Sequence, residues 1–159
     1  MANTLHLLGQ GHPTTLRSLF SLGRLLHRQS SWRHLGDATE RGKRAETALV
    51  TCLTQIDHNL GTSDPLAEKV VEYLADLYLE RDQFHLAEPL YRRIYKQRLA
   101  VFGNSHPGTC EAAYRLAALV EMQGRHRDAA ELFRLVVQGG AGGDAQEKLN
   151  NAIKRCNMG

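Results

Sequence analysis

No acidic residue occurs before Asp37 in this 159-residue chain, while Arg17, Arg24, Arg28 and Arg33 fall in the same stretch. Aromatic residues are scarce at 6%, and there are only four prolines, a balance that suits helices better than an all-β sandwich. Cysteine is scarce too. Cys52, Cys110 and Cys156 are widely spaced and odd in number, which gives neither a disulfide framework nor a zinc pattern. They fit a reducing compartment, where a buried cysteine acts as a small apolar residue. No apolar run approaches the length of a membrane span, and Arg17 and Arg24 interrupt the N-terminal leucines, unlike a secretory signal. The expected location is cytoplasmic. The acid-poor, Arg- and Ser-containing start also fits a mitochondrial transit segment, the alternative location.

What is present is repetition, the first thing to seek in a chain of this size. A shift of 42 residues lays Leu60-Gly-Thr-Ser-Asp-Pro65 on Phe102-Gly-Asn-Ser-His-Pro107. The same shift lays Tyr73-Leu-Ala-Asp-Leu77 on Arg115-Leu-Ala-Ala-Leu119, and Ala87-Glu-Pro-Leu-Tyr-Arg92 on Ala129-Ala-Glu-Leu-Phe-Arg134. A shift of 94 residues brings in a third copy, with Gly9-Gln-Gly-His-Pro13 on Gly103-Asn-Ser-His-Pro107. That first copy is worn. Gly23 and Leu35 stand at small-residue positions, and about ten extra residues precede the next unit.

Each unit reads as two helices. Asp64 can cap a helix whose first position is Pro65, and Val70, Val71, Leu74, Leu77 and Tyr78 follow at helical spacing. Asp82 or Gly124 marks the turn, and a second helix runs from about Gln83 to Val101 with Pro89 near its start. The third unit repeats this from Gly108 to Gln138. After the break Gly139-Gly-Ala-Gly-Gly143, Asp144 is expected to cap a last helix with Ala145, Leu149, Ala152 and Ile153 on one face. Such a helix would cover the apolar end of a repeat stack. Ala45, Leu49, Leu53 and Ile56 extend the second helix of unit one.

The motifs Gly61-Thr-Ser-Asp-Pro65, Leu74-Ala-Asp-Leu-Tyr78 and Ala87-Glu-Pro-Leu-Tyr91 resemble the long tetratricopeptide repeat (TPR) of kinesin light chains. The resemblance covers residues 8 to 138. It implies an all-α fold, a right-handed α-solenoid of three helix-turn-helix repeats (8–59, 60–101 and 102–138) with a capping helix at 144–157, forming one domain over 1–159. Two departures stand out. Positions that often hold a peptide-gripping Asn pair in kinesin light chains are Glu72-Tyr73 and Tyr114-Arg115 here. The Lys and Asn positions of chaperone-binding TPRs correspond to Phe20, Arg24, Tyr73, Glu111 and Arg115. The resemblance therefore does not carry a kinesin-cargo or chaperone-clamp role to this chain.

It does imply a concave groove lined by the first helix of each unit. The groove residues would be Arg17, Phe20, Arg24, His27 and Arg28 in unit one, Lys69, Glu72, Asp76 and Glu80 in unit two, and Glu111, Tyr114, Ala118 and Met122 in unit three. Phe20, Tyr114 and Met122 are the expected anchors. The same residues also fit ordinary solvated helix faces. Eight histidines invite a metal, but His106 and Cys110 lack a second ligand pair, and no metal or cofactor is expected. Cys110 is the best nucleophile, yet its inter-helix position points to burial, and no phosphate loop is present. No enzyme activity and no small-molecule substrate are expected. The arginines are too dispersed to favour nucleic acid. The expected function is a protein-interaction scaffold that takes a peptide or helix of a partner, an acidic one suiting the arginines. A permanently docked structural subunit and a basic-patch nucleic-acid binder are the alternatives.

Overall fold

Each repeat opening folds into the same helix start. The residue before proline caps the amide two positions on: His12 Nδ1 accepts from the Thr14 N–H at 3.3 Å, Asp64 Oδ1 from Leu66 at 2.7 Å and His106 Nδ1 from Gly108 at 3.1 Å. Proline then takes the first helical position, where a missing N–H costs nothing. His and Asp are interchangeable here because both offer a lone pair at the same reach.

A computed structural model describes residues 12–30, 38–61, 64–140 and 143–157. Among the described residues it contains seven helices and no strand: α1 Pro13–Ser30, α2 Ala38–Asn59, α3 Pro65–Glu80, α4 Phe84–Phe102, α5 Pro107–Met122, α6 His126–Gln138 and α7 Asp144–Cys156. The starts of α3 and α5 and those of α4 and α6 are each 42 residues apart, the period read from the sequence. Pro89 lies inside α4 without ending it, as its place near the helix start allows. Asp82 and Gly124 close equivalent turns at φ 56° and 78°. Aspartate is one of the few residues besides glycine that adopts this left-handed backbone readily. Leu35 and Trp32 lie outside the described residues.

The chain packs as two compact units, Met1–Leu77 and Tyr78–Gly159, the boundary falling in the last turn of α3. In the first unit α1 packs on α2. Ala45, Leu49, Cys52 and Ile56 are fully buried at steps of three and four residues, so the 22-residue α2 keeps one apolar stripe in phase. Leu16 from α1 and Ala67, Val70 and Val71 from α3 are fully buried as well. Gly23 is a small-residue position for a steric reason. A Cβ there would lie 2.6 Å from Leu49 Cγ.

In the second unit α4 packs on α5, α5 on α6 and α6 on α7. Tyr91 and Phe133, at equivalent places in α4 and α6, are both buried. Glu88, only 13% exposed in its side chain, receives both oxygens' worth of hydrogen bonds from Arg125 at 2.9 Å and one from Gln123 at 3.1 Å. The pair fastens α4 to the α5–α6 turn. On α7, Ala145, Leu149 and Ala152 are buried, whereas Ile153, expected on the same face, is 38% exposed.

Asp144 does not cap α7: the N-cap is Gly143, and no side chain caps it. Asp144 is the first helical residue, and its Oδ2 instead accepts a short hydrogen bond from the Tyr114 hydroxyl. At the other end of the same helix Arg155 bonds Glu121 at 3.0 Å, so α7 is bridged to α5 twice.

Candidate partner-binding faces

The first unit gathers four of its five expected residues with a fifth from α3. The ring of Tyr73 meets Phe20 edge-on at 6.0 Å between centroids and His27 edge-on at 5.5 Å. His27 Nδ1 lies 3.0 Å from the Tyr73 hydroxyl. The Arg24 guanidinium sits over both aromatic rings, 5.6 Å from Phe20 and 5.9 Å from Tyr73. A cation over two ring faces is held by their quadrupoles while keeping its donors free to reach outward. Ser21, Arg24, Leu25, His27, Arg28 and Tyr73 line a pocket of about 370 Å³. Arg24, Leu25 and Arg28 are exposed, and no carboxylate is among the lining residues. Arg17, one turn earlier, is exposed and does not line it.

This face follows from the local sequence. Helix α1 carries no acid in its first turn and ends in His27 and Arg28, which suits the negative end of the helix dipole. The inward stripe of α1 is taken by Leu16 and Gly23, which leaves the arginines outside.

The compact unit Met1–Leu77 also holds three candidates of the second repeat: Lys69, exposed, with Glu72 and Asp76, half-buried, all on α3. In the second unit Glu80 is exposed at the end of α3, and Met122 is 59% exposed. Ala118 is half-buried. Glu111 is exposed and paired with Arg115 at 2.9 Å. Tyr114 is half-buried, edge-on to Phe133 at 5.6 Å, and donates to Asp144. That hydrogen bond, with burial and the charges of Asp144 and Glu121, pushes its phenol up to about 12.

Residues 66–138 match the tetratricopeptide repeat family. Over that span the chain consists of tetratricopeptide repeats. Among solved structures, nearly identical TPR-like repeats of Podosopora anserina assigned to a kinesin light chain superpose with a TM-score of 0.74 at 19% identity, covering 99% of this chain and 74% of that one. A single-substitution form of the same protein gives 0.72 at 19%, with the same coverage. BtubC (BKLC) from P. vanneervenii gives 0.64 at 13% identity, covering 98% of this chain and 70% of that one. The likeness extends the TPR-type α-solenoid fold beyond the matched repeats, to unit one and α7. No curated protein sequence matches the chain.

Within the TPR framework the residue that sequence reading passed over is Tyr73. It stands at a position set aside as a lost asparagine, and it organises the whole unit-one cluster. Its aromatic character was the available signal. The cysteines carry packing. Cys52 is fully buried and donates to the Leu16 carbonyl at 3.2 Å. Burial, outweighing a backbone hydrogen bond from Phe20, raises its thiol to about 11, so it is no nucleophile near neutral pH. Cys110 is 5% exposed. Among the described residues no three His, Cys, Asp or Glu side chains converge as metal ligands, and no helix is long and apolar enough to cross a membrane.

Proposed function

We propose that this chain is a protein-interaction scaffold that binds a peptide or helix of a partner protein along the exposed faces of its first helices, in the groove that the TPR geometry implies. TPR proteins bind other proteins and as a class are non-enzymatic scaffolds. The observation that carries the reading is the unit-one cluster, where Arg24 is pre-positioned over Phe20 and Tyr73 beside a pocket lined by basic and aromatic side chains. A partner segment with an acidic side chain next to an apolar one fits this pocket. The carboxylate would meet Arg24 and Arg28, and the apolar group would lie against Leu25 and the rings. Rim charges of this kind set orientation and association rate, and the aromatic anchors supply the buried area.

The test is a fluorescence anisotropy titration with a capped peptide of alternating glutamate and leucine. The double variant Arg24→Glu/Arg28→Glu is expected to bind about tenfold more weakly or worse, as two rim charges are reversed. Wild-type affinity should also fall with added salt as the Debye length shortens. Equal affinity for wild type and variant would remove unit one from the binding surface.

A further inference from the structure

The second unit holds a pocket of the opposite charge. It lies where α5, the end of α6 and the start of α7 meet, and measures about 460 Å³, within the range of about 300–1,000 Å³ usual for ligand pockets. Its buried floor is Cys110, Val136 and Ala145, which belong to one apolar cluster with Ala113. Its rim carries Glu111 and Asp144, both exposed, with half-buried Tyr114 between floor and rim. No lysine, arginine or histidine is among its lining residues.

This pocket is also held in shape. The Tyr114–Asp144 hydrogen bond fixes one rim residue. Gly139 closes the wall, because a Cβ there would sit 2.5 Å from Cys110 Sγ and 2.8 Å from the Asn104 carbonyl oxygen. Arg115, outside the lining, forms an exposed i,i+4 pair with the rim residue Glu111. Such pairs are weak and exchange readily for a better-placed cation.

An apolar floor under two carboxylates defines the shape of its guest: an aliphatic stem with a cationic head. We propose that this pocket receives an arginine side chain from a basic segment of a partner protein. Its methylenes lie on Val136 and Ala145, and its guanidinium donates to the Asp144 and Glu111 carboxylates beside the Tyr114 ring. Arginine is favoured over lysine because a planar fork can serve two carboxylates and stack on an aromatic face. The proposal rests on the scaffold reading only in that both concern protein partners; the residues and the charge it uses are separate from those of unit one.

The experiment is an amide NMR titration of the whole chain with a capped glycine-serine peptide carrying one central arginine, compared with the same peptide carrying citrulline, its neutral isostere. Saturable shifts are expected at Cys110, Tyr114, Gly139 and Ala145 with the arginine peptide, and none with citrulline. Glu111→Gln and Asp144→Asn should each weaken binding several-fold. Glu111→Gln changes an exposed residue, so it keeps the test valid should Asp144→Asn loosen α7. Arg24→Glu/Arg28→Glu should leave this binding unchanged, which separates its outcome from that of the unit-one test. Absence of saturable shifts, equal binding of citrulline, or unaltered affinity in Glu111→Gln would overturn the proposal.

Discussion

Nδ1 of His27 and the hydroxyl of Tyr73 meet at 3.0 Å across 46 residues of sequence, joining α1 to α3 inside the first unit. The bond closes a cluster that also holds Phe20 and Arg24. Tyr73→Phe keeps the ring and removes the hydroxyl. It is expected to lower stability by about 0.5–1.5 kcal/mol, the net worth of one hydrogen bond. Urea unfolding measures this, and an unchanged midpoint would show that the contact carries no stability.

Gly23 faces Leu49 with no room for a methyl group. Alanine in place of a helical glycine would by itself add about 1 kcal/mol of stability. Leu49 is fully buried and cannot retreat, so overpacking of about 1–3 kcal/mol wins and Gly23→Ala is destabilising. Thermal unfolding decides the sign; a rise in Tm would mean that α1 and α2 can move apart at low cost.

The helix-opening caps give a prediction of intermediate size. Asp64→Ala removes the acceptor for the Leu66 N–H and should cost about 1 kcal/mol. Asp64→Asn should recover most of the loss, because an amide oxygen caps as well. If alanine and asparagine behave alike in denaturant unfolding, the cap is not what stabilises this helix start.

Two groups make stability depend on pH at opposite ends of the scale. For Glu88, burial raises the carboxyl, but hydrogen bonds from Arg125 and Gln123 and the charges of Arg125 and Arg92 outweigh it, and the net shift is downward from 4.5. A carboxylate depressed by folding contributes stability above its unfolded value and loses it as pH falls through the folded one. Glu88→Gln should therefore flatten the acid limb of the unfolding curve below about pH 4.5, the ordinary value of this group. Tyr114 shifts the other way, from 10.0 to about 12. Its contribution is complete below pH 10.0 and is lost as pH rises through about 12. In an ultraviolet titration, Asp144→Asn should make one tyrosine ionise earlier than it does in the wild type. Identical titration curves for the two proteins would contradict the bond.

Much of the fold was legible because its signals are local. The Pro13, Pro65 and Pro107 helix starts and the Asp82 and Gly124 turns are each fixed by residues within a few positions of one another, and the period of 42 is the recurrence of those local signals. The apolar stripe of α2 was legible for the same reason. The candidate faces were legible only by halves. Arg24, His27 and Arg28 could be placed on one face of α1, but their organiser, Tyr73, comes from another helix. The role of Asp144 was misread because an acid just after a glycine break fits both the cap and the first helical position. Only the approach of Tyr114, 30 residues away, shows what the carboxylate does. The Glu88–Arg125 pair, 37 residues apart, lies beyond local reading for the same reason.

The central claim is that the exposed α1 face selects a partner by charge. A specificity swap tests it most directly. Two capped peptides of equal length, one alternating glutamate with leucine and one alternating lysine with leucine, are titrated into wild type and into Arg24→Glu/Arg28→Glu, with circular dichroism confirming that both proteins are folded. The account predicts that the variant loses affinity for the acidic peptide and gains affinity for the basic one relative to wild type. Equal affinities of wild type and variant for each peptide would contradict it.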